Sequence, residues 1–220
     1  MNEAPQPLRP PTLAEIGRAG SRDALRRADA GAAAPRHRFL DAIRTSDERP
    51  DAWHATGQWI VAAVATLLLA WLTYSREGWV PLLSSFDLGV HEFGHLLTMW
   101  APDLAVWSAG SLLQVAAPLA LGAYFLHRRD RFAVVLMVAW AAESLNNVSV
   151  YVADAQDMAL ALFGDDGSGA GHDWHNILGR LDLLESTYTI ARFVHLGSVL
   201  LFVAALGLAA WWLVRAREGD

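Results

Sequence analysis

Cysteine and lysine are both absent from the 220 residues. Without cysteine there is no disulfide and no thiolate metal site, so any metal must be held by His, Asp, Glu or Asn. Without lysine, all 17 basic residues are arginine. Together with the many alanines, this usage points to a high-GC bacterial genome. Charge is scarce: 18% of residues are charged against 54% hydrophobic, and the net charge is −6 with histidine neutral. An acidic chain of pI about 5.7 offers no basic face to nucleic acid, which excludes that class of partner. Residues 1–50 hold no long apolar run. They are not a signal peptide, because the first apolar run starts too late and lacks a small-residue cleavage site.

The mean hydropathy is nevertheless +0.24, so residues 51–220 must be strongly apolar. Five runs stand out, at about 58–74, 79–100, 107–127, 132–154 and 190–214. Each can cross a hydrocarbon core of about 30 Å, which takes roughly 20 helical residues. Several of the ten tryptophans (Trp59, Trp71, Trp79, Trp100, Trp107, Trp211 and Trp212) lie near the ends of these runs, where aromatic belts meet the headgroups. Residues 172–185 read as a short amphipathic helix at the interface. The expectation is an all-α polytopic membrane bundle of about five spans plus that interfacial helix. A mobile Arg/Ala/Pro-rich tail over residues 1–50, with a short helix opening near residues 10–15, precedes one membrane domain over 51–220. The arginines at 128–131 and at 215 and 217 belong on the cytoplasmic side. Five full crossings then put the start of the chain outside, although its tail carries nine arginines. Either that tail is a genuine exception, or the second segment is re-entrant and does not cross; the sequence leaves both open.

Inside the second run lies His91-Glu92-Phe93-Gly94-His95, an HExxH motif. On a helix, histidines four residues apart project from one face and can bind a single Zn²⁺. Glu92, about 100° around the helix from His91, can take a proton from water there. Asp87, one turn earlier, can orient His91 as an acceptor. In soluble helices the motif occurs by chance. At membrane depth ionisable groups are costly, and such a cluster marks a functional site.

A zinc site needs a third protein ligand. The fourth run offers Glu143, Asn147 and Asp154 near one azimuth, a polar stripe that must face the protein interior. Asp154 is the first choice for the third ligand, and Asn146 or Asn147 would support a developing oxyanion. His172 and His175, in His172-Asp173-Trp174-His175, are the alternative third ligands, carried in by the Gly/Asp-rich loop at 164–171. That loop is also a plausible gate.

HExxH on one span and an aspartate on a later one resemble the site-2-protease family of intramembrane zinc metalloproteases. The family's second motif has the form Asn-x-x-Pro-x-Pro-x-x-Asp-Gly. Here Asn146 and Asp154 keep the spacing, while Ser149, Tyr151 and Ala155 stand in place of the prolines and glycine. The resemblance covers about residues 80–157. It implies peptide hydrolysis of membrane-protein substrates in the bilayer. The expected function is thus a membrane-embedded zinc metallohydrolase of the bacterial inner membrane, with His91, His95 and Asp154 on the metal and Glu92 as base. Two other readings compete with it: a non-catalytic metal-binding scaffold, and a lipid amidohydrolase or hydroxylase. The last expects more His-rich boxes than HEFGH and HDWH.

Overall fold

The computed structural model describes residues 52–75, 78–160 and 171–218. The N-terminal tail, its expected helix near 10–15, and most of the glycine loop at 164–171 lie outside the described residues. Among those described there are only helices: α1 (Ala52–Ser75), α2 (Leu83–Thr98), α3 (Asp103–His127), α4 (Arg131–Ala153), α5 (Asp173–Arg180), a 3₁₀ turn at Leu184–Ser186, and α6 (Thr187–Glu218).

Four of these are long and apolar enough to cross a membrane: α1 from Thr56, α3, α4, and α6 with its preceding turn. They mark the chain as an integral membrane protein. The expected fifth span is shorter than its apolar run. The α2 helix has 16 residues, a rise of about 24 Å at 1.5 Å per residue. Pro81 and Leu82 (φ 67°) precede its first turn, and residues 99–102 turn the chain into α3.

The α4 helix is the centre of the bundle. Of its most apolar window 56% is buried, against 22–28% for the other three spans. It packs mainly on α6, with α1 against both and α2 against α3. Trp59 and Ala62 of α1, Val135, Ala139 and Ala142 of α4, and Phe202, Ala205 and Ala209 of α6 form one buried core. Lipid tails are as apolar as leucine, so helix association in a membrane depends on close packing of small residues and on polar contacts. Both are present here. The outside is apolar instead: Leu67, Leu68, Trp71, Phe193, Leu200 and Val203 are exposed. Hydroxyls within the spans are satisfied locally, as where Thr66 and Thr73 donate to Ala62 O and Leu69 O.

The inner face of α2 reverses the usual amphipathic pattern. Its buried residues are Ser84, Asp87, His91 and Gly94, a stripe of spacing three, four and three without a single apolar side chain. Phe86, Phe93, Leu96 and Leu97 face outward. The stripe meets α3 very closely. A Cβ on Gly94 would lie 2.5 Å from the Ala109 carbonyl oxygen and 2.9 Å from Gly110 Cα, both backbone atoms. A Cβ on Gly110 would lie 2.5 Å from His91 Nε2. Gly89, exposed on the same helix, has nothing within 4 Å.

Two substitutions on one helix therefore separate propensity from packing. Gly94→Ala forces α2 and α3 apart and should destabilise the protein by about 1–3 kcal/mol. Gly89→Ala gains helix propensity of up to about 1 kcal/mol and meets no clash. Thermal unfolding in detergent should show a lower Tm for the first variant and an unchanged or higher one for the second.

Candidate metal centre

The C-terminal half of α2, the N-terminal half of α3, the end of α4 and the start of α5 meet at one end of the bundle. This end is opposite the tight 128–130 turn that joins α3 to α4. Arg129 (φ 62°) and Asp130, whose side chain accepts from Ala133 N, shape that turn.

At the meeting point one carboxylate oxygen faces two imidazoles. Asp173 Oδ2 lies 3.1 Å from His91 Nε2 and 3.1 Å from His95 Nε2. The two rings stand edge to face with centroids 4.8 Å apart. His95 Nδ1 donates to Val106 O at 2.9 Å, and a carbonyl can only accept. His91 Nδ1 donates to Gln114 Oε1 at 3.3 Å. With the outer nitrogens carrying the protons of neutral rings, both Nε2 lone pairs point at the carboxylate. Three acceptors facing one another repel unless a cation lies among them.

The donor set suits a metal ion. A tetrahedron with bonds of about 2.0–2.1 Å has edges of about 3.3 Å, close to the two 3.1 Å separations. One ligand atom from each of His91, His95 and Asp173 falls within a 4.8 Å group. The neighbours are those a metal site needs to fix its ligands. Gln114 and Val106 O orient the rings. Tyr151 accepts from Asp173 N at 2.9 Å and directs its hydroxyl toward Asp173 Oδ2 at 3.5 Å. Gly110 gives the His91 ring its space. The His91 side chain is 8% exposed and that of His95 21%, so the site opens on the His95 side. Glu92 is half-buried, next in sequence to His91, and makes no polar contact with the described residues.

The third group is thus Asp173, where Asp154 was expected. Asp154 is committed to local structure. Its Oδ1 accepts from Ala159 N, and its Oδ2 accepts from Leu160 N and from His172 Nε2 at 3.2 Å. The two alternative ligands are also engaged. His172 is fully buried, donates through Nε2 to Asp154 and accepts His175 N at Nδ1 as the cap of α5. His175 Nδ1 donates to Ala155 O at 2.8 Å. The HDWH element does reach the site, but through its aspartate.

Neither asparagine joins the cluster. Asn146 Oδ1 accepts from His195 Nδ1 at 2.9 Å. Asn147 Nδ2 donates to Ser84 Oγ and Glu143 Oε1. Asp87 does not orient His91 either: it accepts from Trp140 Nε1 and Ser144 Oγ, and Gln114 takes the orienting place. Gln114 and Tyr151 are polar residues within the third and fourth apolar runs. No local pattern separates Asp173 from the other acids near helix ends.

Asp154 is thus a docking residue for α5. Asp154→Ala leaves the buried His172 Nε2 without an acceptor and should lower stability by about 1–3 kcal/mol, read as earlier denaturation in detergent with helix content otherwise intact.

Comparison with family models, curated proteins and solved structures gave no match to this chain, so the reading of the centre stands on its own distances and donor types.

Proposed function

We propose that the chain is a membrane-embedded zinc metallohydrolase of the bacterial inner membrane, acting on membrane-associated polypeptides. His91, His95 and Asp173 would hold the ion. The observation that carries this reading is the convergence of two imidazole nitrogens on one carboxylate oxygen, with the opposite nitrogens already bonded.

A proton on each ring could also bridge to Asp173. Two imidazoliums with ring centroids 4.8 Å apart would repel each other in a poorly solvated site. One divalent ion satisfies all three groups at once. When bound, such an ion polarises a substrate carbonyl and makes water acidic near neutral pH.

The residues of the chain supply the rest. Glu92, free of other polar contacts, accepts the proton of the attacking water and returns it to the leaving amine. Gln114, the Val106 carbonyl and Tyr151 hold the three ligating groups in place. Tyr151, which touches Asp173, is better placed beside the reacting centre than either asparagine.

Four crossing helices, with α2 entering without traversing, fit the charge pattern. Arg128, Arg129 and Arg131, the start of α1 and Arg215 and Arg217 then share the cytoplasmic side. The centre lies at the other end of the bundle, near the outer interface, where water reaches it without a path through the whole bilayer. Substrates would be cleaved near that interface.

Elemental analysis of purified protein tests the site. Wild type should hold about one zinc per chain. His91→Ala and Asp173→Asn should lose it, while Asp154→Ala should keep it. Loss in Asp154→Ala with retention in Asp173→Asn would overturn the ligand set. Glu92→Gln should retain the metal and slow hydrolysis of a labelled single-span peptide in liposomes by about 10²–10⁴-fold. Unchanged hydrolysis in that variant would remove Glu92 from the reaction.

A further inference from the structure

A second polar cluster lies between α2 and α4, apart from the metal centre. Asp87 and Glu143 are both fully buried. Their donors can be counted atom by atom. Asp87 Oδ1 accepts from Trp140 Nε1 at 2.8 Å, and Oδ2 accepts from Ser144 Oγ at 3.1 Å. Glu143 Oε1 accepts from Ser84 Oγ at 3.0 Å and from Asn147 Nδ2 at 2.9 Å. Glu143 Oε2 is buried and receives no donor at all.

Asp87 and Glu143 face each other across the same α2–α4 contact. Trp140 and Ser144, which bond Asp87, flank Glu143 on α4 at positions −3 and +1, and Ser84, which bonds Glu143, precedes Asp87 by one turn on α2, so the two carboxyl groups lie side by side. Two carboxylates have no proton to share, and a pair of like charges in an apolar interior is strongly disfavoured. Neither acid has an arginine partner among the described residues. The other titratable groups are accounted for. On α2, His91 lies one turn past Asp87 and is turned to Asp173 and Gln114. On α6, His195 bonds Asn146. On α1, Tyr74 bonds Ser198.

We propose that Asp87 and Glu143 form a one-proton site in the membrane interior, with the proton on Glu143 Oε2 and donated to an ionised Asp87. This assignment satisfies every polar atom of the pair. Glu143 Oε1 becomes the carbonyl oxygen and keeps its two donors. Oε2–H meets Asp87, which then accepts from Trp140, Ser144 and Glu143. The reverse assignment would put the proton on an Asp87 oxygen that already accepts from Trp140 or Ser144, and the O–H oxygen of a carboxylic acid is a weaker acceptor than a carboxylate oxygen. The pair carries one negative charge in place of two. It fastens the polar face of α2, with its HExxH segment, to the central helix of the bundle. The ligand of this site is a proton, bound as a shared hydrogen between two carboxyls.

Infrared spectroscopy of the purified protein in lipid at neutral pH provides the test. A carbonyl band of a protonated carboxylic acid should be present. Labelling with ¹³C-glutamate should shift it, and ¹³C-aspartate should not. Glu143→Gln should abolish the band while keeping the fold, because the amide nitrogen can donate to Asp87 and the amide oxygen can accept from Ser84 and Asn147. Neither acid belongs to the metal cluster, so EDTA treatment should leave the band in place, whatever becomes of the metal reading. The isotope experiment on wild type decides the matter even if the variant fails to fold. Absence of the band, its shift by labelled aspartate alone, its survival in a folded Glu143→Gln, or its loss on adding sodium, which would put a metal cation in the gap, each overturns the proposal.

Discussion

One oxygen atom, Asp173 Oδ2, joins the two histidines of α2 to the start of α5. It faces two imidazole nitrogens at 3.1 Å. Everything around it prevents the groups from relaxing apart. The Val106 carbonyl and Gln114 fix the rings from behind. Gly94 and Gly110 allow α2 and α3 to touch, and larger residues would displace the backbone or the His91 ring itself. Tyr151 fixes the aspartate through its backbone N–H.

The bilayer explains why the polar groups are so fully paired. With no water in the hydrocarbon core, each unpaired donor or acceptor costs several kcal/mol. The α2 helix buries only Ser84, Asp87, His91 and Gly94. Its hold on the bundle is therefore polar: Ser84 to Glu143, Asp87 to Trp140 and Ser144, His91 to Gln114 and Asp173. Helices α1, α4 and α6 are held by alanine packing instead. The same chain thus contains an apolar scaffold and a polar helix attached to it, and the chemistry lies on the second.

What the sequence revealed follows from the range of its signals. The apolar runs, the HExxH helix and the shared face of Asp87 and His91 all depend on spacings within one helix, and these were legible. The length of α2 was not: the apolar run continues through Trp79 and Trp100, but Pro81 and the left-handed Leu82 start the helix late. Asn146 and Asn147 were matched to the site by their position on α4. Adjacent residues point about 100° apart on a helix, and these two reach His195 and Ser84 instead. The third group of the cluster is 82 positions from His91. At that distance spacing carries no information, and Asp154 and Asp173 look alike as acids near helix ends. What separates them is that Asp154 has nearby backbone donors at Ala159 and Leu160, which occupy its lone pairs.

The position of Asp173 also ties the centre to the shortest of the described α-helices. An isolated eight-residue helix is not stable on its own, and α5 has eight residues. It stays docked through the buried Leu178, through Trp174 Nε1 to Ser111, through His172 to Asp154 and through His175 to Ala155. Asp173 is its first residue. On the proposed reading, a cation bound between Asp173 and the two histidines would act only on the docked arrangement, so by mass action it would stabilise α5 against the bundle. Conversely, each contact that docks α5 raises the fraction of molecules in which the three groups are already together. Cation affinity and helix docking would then be one linked equilibrium.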